Sequence, residues 1–324
     1  MQDEPERIPI ELAVPQPVSW LPPRAVVWPA EPRSLRSLVI AIALFIVTAV
    51  STLAAGAQFA AAYAANQSPA LDRFFSDYFR PFAEPGLFIS GIPFALTLMG
   101  ILLAHDLVHF FACRHYHIRA TYPYFIPAPT LIGTLGAFIR IRSPIYNRRA
   151  LFDMAIAGPL VGFFIAVPAL AIAVVFSKVI PAGDASSLVF GQPLVERLLE
   201  LALRPGVSHI HLLLHPVGRA AWVGLFATAL NLLPAGQLDG GHILYAVASE
   251  WHRRVSFAVA LLLVPLAAKF WPGWLVWAVL LVAIGFRHPP PIDRWDPLDR
   301  KRRVLSGVAL AVFILCFMPA PFLL

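Results

Sequence analysis

Charge is scarce in this chain: Asp, Glu, Lys and Arg make up 13% of its 324 residues, about half of what an ordinary soluble domain carries. With 59% hydrophobic residues, that composition excludes a water-soluble globular protein and places the chain in a bilayer. Cysteine is nearly absent. Cys113 and Cys316 lie in or beside different apolar segments without framework spacing, which excludes a disulfide scaffold and a cysteine-type zinc site, so both read as small buried apolar residues. Long polar connections are missing as well. The segment from Ser177 to Pro216 is shorter than the roughly 50 residues at which folded domains begin, so no separate soluble module is expected. There is no internal repeat, which argues against an inverted-repeat transporter. The formal charge of +7 comes from bases clustered at the edges of apolar segments, where they set membrane topology, and no nucleic-acid partner is expected.

What the chain does have is a series of apolar runs long enough for the bilayer, since a crossing takes roughly 20 mostly apolar residues. They fall at about residues 38–64, 86–116, 151–176 and 220–248, with two shorter ones at 256–268 and 271–286 and a last one at 304–319. The two short runs read either as tilted spans or as a hairpin dipping partway. The second run is long enough to tilt or break near Pro93. The expected fold is an all-α polytopic membrane protein with six or seven transmembrane helices and a small membrane-associated β-strand or hairpin. Residues 1–36 carry Pro5, Pro9, Pro15, Pro17, Pro22, Pro23, Pro29 and Pro32 among charges and are expected to be a disordered tail. Asp3 and Glu4 at its start are unlike a secretory signal. Residues 37–324 form one transmembrane domain with its core at 85–250. Arg114, Arg119, Arg140, Arg142, Arg148 and Arg149 follow the second run, and Arg287, Arg294, Arg300, Lys301, Arg302 and Arg303 precede the last. Those basic stretches predict a cytoplasmic side that also holds the N-terminus, in the cell membrane.

The chemistry concentrates in His105-Asp106-Leu107-Val108-His109, toward the basic end of an apolar helix. Residues i and i+4 share a helix face, so both imidazoles can address one ion, and polar groups inside a span are costly enough to imply function. The pattern is close to H-E-x-x-H, whose acid is a general base rather than a ligand. Here that acid is Asp106, one methylene shorter. Far along the chain, the stretch from Asn231 to Gly241 puts Pro234, Gly236 and Asp239 at membrane depth, where irregular backbone is tolerated only inside protein or against a cavity. Two imidazoles and a carboxylate with an open fourth position make a catalytic zinc site.

The pair H-x-x-x-H in one span and N-x-x-P-x-x-x-L-D-G in a later one resembles the site-2 protease family, over about residues 85–250. The resemblance implies one zinc ion held by His105, His109 and Asp239, with Asp106 taking a proton from the attacking water and Asn231 assisting at the substrate carbonyl. It departs from the family at Asp106, which replaces Glu, and at Val108, where a small Gly is common. Between the motifs, Gly133-Thr134-Leu135-Gly136 precedes a strand-like alternation from Ala137 to Arg142 with Arg140 and Arg142 on one face. Family members look similar here. Gly133, Gly136, Phe138 and Arg140 are therefore candidates for binding an extended substrate by strand addition. The implied partner is a membrane-spanning protein substrate within the lipid bilayer, a regulator already trimmed by another protease. The sequence sets no oligomeric state.

Other readings compete. A di-iron hydroxylase needs adjacent histidine pairs, and none occurs. A metal transporter is disfavoured by the single candidate site. A protein of the same fold that has lost turnover and serves as a membrane binding or regulatory protein draws its support from Asp106. Most of His115, His117, His209, His211, His215, His242, His252 and His288 read as interfacial or loop residues rather than ligands, with His242, three residues after Asp239, expected to face away from it; Trp271, Trp274 and Trp277 read as an aromatic belt, and Gly158-Pro159 as a kink or packing site without chemistry.

Overall fold

A computed structural model of the chain describes residues 35–69, 74–180, 188–208, 211–286, 288–293 and 297–323. The expected N-terminal tail lies outside the described residues, except that Leu35 and Arg36 already belong to the first helix. In chain order the helices are α1 (Leu35–Ala64), α2 (Phe74–Ala83), α3 (Phe88–His115), α4 (Arg148–Phe176), α5 (Leu194–Leu203) and α6 (Pro216–Asn231), followed by α7 (Asp239–Val247), α8 (Ser249–Lys269), α9 (Gly273–Ile284) and α10 (Arg300–Cys316). The strands are β1 (Tyr124–Pro127), β2 (Thr134–Phe138), β3 (Lys178–Val179), β4 (Val189–Phe190), β5 (Leu212–Leu213) and β6 (Phe322–Leu323). They pair as three small antiparallel ladders, β1 with β2, β3 with β5 and β4 with β6.

Among the described residues, four helical segments are long and apolar enough to cross a membrane: Leu35–Ala64, Pro85–His115, Arg148–Phe176 and Ser249–Lys269. Their outer faces carry large apolar side chains such as Ile46, Phe164, Ile172 and Leu261, each more than half exposed. In water that surface would be a liability; in lipid it is the contact face. The protein is thus a mostly helical membrane protein.

The expected six or seven crossings go beyond these four long helices. The run expected at 220–248 is broken into α6 and α7, because Pro234 lacks an N–H and Gly236 adopts φ +58°, so residues 232–238 form a turn. At about 1.5 Å per residue, α6, α7, α9 and α10 all fall short of the roughly 30 Å hydrocarbon core. The short runs at 256–268 and 271–286 become the helical pair α8 and α9, of which only α8 has crossing length. Helix α3 does not break at Pro93. The carbonyl left without a partner is that of Ile89, in the first turn of the helix, so the proline is tolerated. The mixed segment after α4 contains helix α5.

Helix α3 is the centre of the bundle, packing on α1, α4 and α6. Small residues make that possible: a Cβ on Gly91 would lie 2.1 Å from the Leu53 carbonyl oxygen of α1, so the two backbones approach as closely as glycine allows. Helix α4 in turn packs on α6 and α7. Two sequence-distant segments, α3 and the α6–α7 turn, are thereby brought against the same helix.

Candidate metal centre

His105 and His109 stand one turn apart on α3, both buried, with ring centroids 4.7 Å and Nε2 atoms 3.1 Å apart. Asp239 is the first residue of α7, where the helix dipole favours an anion. Its Oδ2 lies 3.5 Å from His105 Nε2 and 3.3 Å from His109 Nε2. The three atoms form a nearly equilateral triangle. Ligands of a tetrahedral zinc at about 2.0–2.1 Å would stand about 3.3 Å from one another, so the donor set fits that ion. Among the described residues no other group of three His, Cys, Asp or Glu donors converges in this way.

Hydrogen bonding prepares the donors. His109 Nδ1 is 2.7 Å from the Met154 carbonyl oxygen, which can only accept, so the proton sits on Nδ1 and the Nε2 lone pair faces the triangle. Helix α4 approaches closely enough to supply that carbonyl because residue 158 is glycine: a Cβ there would lie 2.1 Å from His109 Nε2. Gly158 was given only a packing role from sequence. Its part in seating His109 depends on which face of α4 meets α3, and no local pattern reveals that.

The triangle opens onto a cavity of about 180 Å³ lined also by Asp106, Asn231, Gln237, Leu238, His242 and, from the hairpin side, Ala137, Phe138 and Ile139. Asn231 ends α6, and its Nδ2 is 3.2 Å from His105 Nε2. Asp106 is buried beside the ligands. Of the four residues expected to bind substrate, Phe138 lines this cavity and Gly133, Gly136 and Arg140 do not. Gly133, at φ +77°, abuts α1, where a Cβ would meet the Ser51 carbonyl oxygen at 2.6 Å. Gly136 is at φ +97° inside β2. The strand itself runs Thr134–Phe138 rather than from Ala137 to Arg142. Past Phe138 the Arg140 N–H donates to Thr121 Oγ1 at 2.9 Å, while the Thr121 and Arg142 N–H groups donate to the Arg140 and Arg119 carbonyls, so main-chain pairing continues there as an isolated bridge of Ala120 with Ile141.

Three histidines assigned from sequence to interfaces or loops gather behind the ligand loop. Buried His252 donates from Nε2 to the Gly236 carbonyl oxygen at 2.9 Å, and the Gly236 N–H donates to buried Ser256 Oγ at 3.1 Å. Both main-chain groups of the residue that turns the loop are thus held by α8. His242 Nδ1 is 2.6 Å from His288 Nε2, and Tyr245 stacks on His288 with centroids 4.2 Å apart. Only their position inside or beside apolar segments hinted at this.

The family profile described as peptidase family M50 matches residues 93–268, more than half of the chain and both motifs. The chain belongs to peptidase family M50, the site-2 protease family. It is 30% identical over 246 residues to "Probable zinc metalloprotease EGY2, chloroplastic" of Oryza sativa subsp. indica, covering 72% of this chain and 43% of that protein. It is also 30% identical over 308 residues to "Probable zinc metalloprotease EGY1, chloroplastic" of Arabidopsis thaliana, covering 89% of this chain and 54% of that one. The chain spans about half the length of these M50 relatives. The M50 match begins five residues after α3 starts and ends one before α8 does, so it takes in the histidine pair of α3, the hairpin, α4 and the turn before Asp239.

Proposed function

We propose that this M50 protein is an intramembrane zinc metalloprotease that hydrolyses peptide bonds of membrane-embedded protein substrates. The observation that carries the reading is the triangle of His105 Nε2, His109 Nε2 and Asp239 Oδ2, which fits one zinc ion and opens on a cavity lined by strand β2. Zinc supplies Lewis acidity at such a site, polarising a carbonyl and making water a nucleophile near neutral pH.

The chain's own residues do the rest. Asp106, the carboxylate on the cavity wall beside the histidines, takes the proton of the attacking water. The Asn231 amide donates to the substrate carbonyl oxygen as charge develops there. Phe138 and its neighbours offer an extended edge to an unwound substrate, with Gly133, Gly136 and Arg140 shaping the hairpin that presents it. Along α3 the ligands lie roughly 10–15 Å from the helix end that leads into the basic stretch, which supports a site opening toward the cytoplasm of a cell membrane, on the side of the N-terminus. Helix α6 with α7, then α10, and finally α9 bring the crossings to six or seven. The substrates are membrane-anchored regulators already trimmed by another protease, released as cytosolic fragments.

Asp106 in place of Glu favours a second reading, a pseudoprotease that binds rather than cleaves. Cleavage of a membrane-spanning reporter by wild type, Asp106→Glu and His105→Ala, each with its zinc content measured, separates the two. The protease reading expects wild type to cleave and His105→Ala to be inert. Cleavage by Asp106→Glu alone would make the natural chain a pseudoprotease with an intact metal site.

A further inference from the structure

We infer that His242 contacts the substrate in this site, held by His288 so that its Nε2 accepts a hydrogen bond from a main-chain N–H of a peptide lying in the cavity. The inference rests on the protease reading for the peptide and on the following geometry for the histidine.

His242 lies nearly one turn after Asp239 on α7 and lines the same cavity. Two hydrogen bonds decide where its proton is. His288 Nδ1 is 2.6 Å from the Pro289 carbonyl oxygen, and a carbonyl only accepts, so His288 is protonated at Nδ1 and bare at Nε2. That bare Nε2 lies 2.6 Å from His242 Nδ1 and must accept from it. Neutral His242 therefore carries its proton on Nδ1 and a lone pair on Nε2. The two nitrogens look toward opposite sides of an imidazole ring. His288 does not line the cavity, and with Nδ1 engaged by it, Nε2 is the nitrogen of His242 left for a partner in the cavity. The relay is held in place: Tyr245 stacks on His288 at 20° between the rings, and His252 meets it edge-on at 5.5 Å.

An extended peptide needs such a partner. Strand addition satisfies the main-chain groups along one of its edges, while the other edge points into apolar surroundings with N–H and C=O groups that are costly to leave unpaired. Asn231 brings a donor to this cavity and His242 an acceptor, one for each kind of group.

The test uses the full zinc-loaded chain in detergent and a fluorescent peptide copied from the transmembrane segment of the reporter, with binding, zinc content and cleavage read together. His242→Phe keeps a ring and removes the acceptor. It is expected to keep its zinc, to weaken peptide binding and raise KM by about ten- to a hundredfold, and to change kcat less. His242→Gln, which keeps an acceptor, recovers most of the loss. His288→Leu weakens binding, and His288→Gln, whose amide oxygen can still accept from Nδ1–H, restores it. A peptide N-methylated at the contacted amide binds wild type more weakly than the plain peptide does, whereas His242→Phe does not distinguish the two. Binding by His242→Phe at the wild-type level overturns the inference, and loss of its zinc would make His242 a metal ligand instead. Wild type that binds the peptide without cleaving it removes the protease reading and leaves the His242 contact standing. No binding by wild type removes both.

Discussion

Two of the polar clusters in this apolar bundle are assembled on opposite electrostatic plans. At the basic end, the Arg302 guanidinium on α10 lies between two carboxylates: its Nε donates to Asp153 Oδ1 at 2.8 Å, and it also pairs with Asp299, while the Tyr116 hydroxyl donates to Asp153. Each charge there has an opposite partner, so the cluster is complete and ties the end of α3, α4 and α10 together. About two turns along α3, His105, His109 and Asp239 do the reverse, gathering two imidazole nitrogens and a carboxylate oxygen 3.1–3.5 Å from one another. Such a group is one that a cation can complete. Saturation marks structure and convergent unsaturation marks a metal site, although both look like charged residues in apolar sequence.

The sharpest way to break this comparison is to keep the ligands and move one. Gly158→Ala drives a methyl into the space of His109 Nε2, and we expect about a 10–100-fold loss of zinc affinity and of reporter cleavage, read by metal content and by cleavage rate. His252→Ala releases one of the two bonds that hold Gly236. It should lower kcat/KM by about tenfold, with His252→Asn recovering part because an amide can still donate. Arg302→Met attacks the saturated cluster instead. It should cost about 1–3 kcal/mol of stability in denaturation while zinc content stays at the wild-type level. Zinc loss in that variant would show that the clusters are coupled, through Asp153 and the neighbouring Met154 whose carbonyl holds His109.

The smallest effect concerns pH. Asp299 caps α10 by accepting from the Arg302 backbone N–H at 2.9 Å, and that bond, with the guanidinium beside it, holds its carboxyl below its ordinary 3.8. A carboxyl with a lowered folded-state pKa stabilises above its unfolded value, and the contribution is lost as pH falls through the folded one. Asp299→Asn should therefore lower the unfolding temperature slightly at neutral pH, and the difference should vanish well below pH 3.8.

The two histidines of α3 were legible because i and i+4 meet on any helix, whatever surrounds it. The turn before Asp239 was marked by Pro234 and Gly236, although the apolar run concealed that it ends one helix and starts another. The bounds of β2 differ from the expected 137–142 by three residues at the start and four at the end, because the partner strand lies earlier in the chain and pairing past Phe138 survives only as the isolated bridge of Ala120 with Ile141. Gly158 reads from sequence only as a kink or packing site and His242, His252 and His288 as interfacial or loop residues, because a glycine or histidine in an apolar run has the same local signature whether it packs, caps or positions another side chain.

Sequence by itself determined what local chemistry controls: a bilayer environment, from composition and run length, and a paired-histidine helix with a distant carboxylate, from residue type and spacing. Tertiary structure alone decided that Asp239 faces those histidines, that Gly158 leaves room for the imidazole, that α8 grips the loop and that His288 fixes the tautomer of His242. Each of these is a meeting of residues far apart in the chain. Such meetings follow from which helix faces pack together, and that choice is made by the whole apolar bundle rather than by any one segment of it.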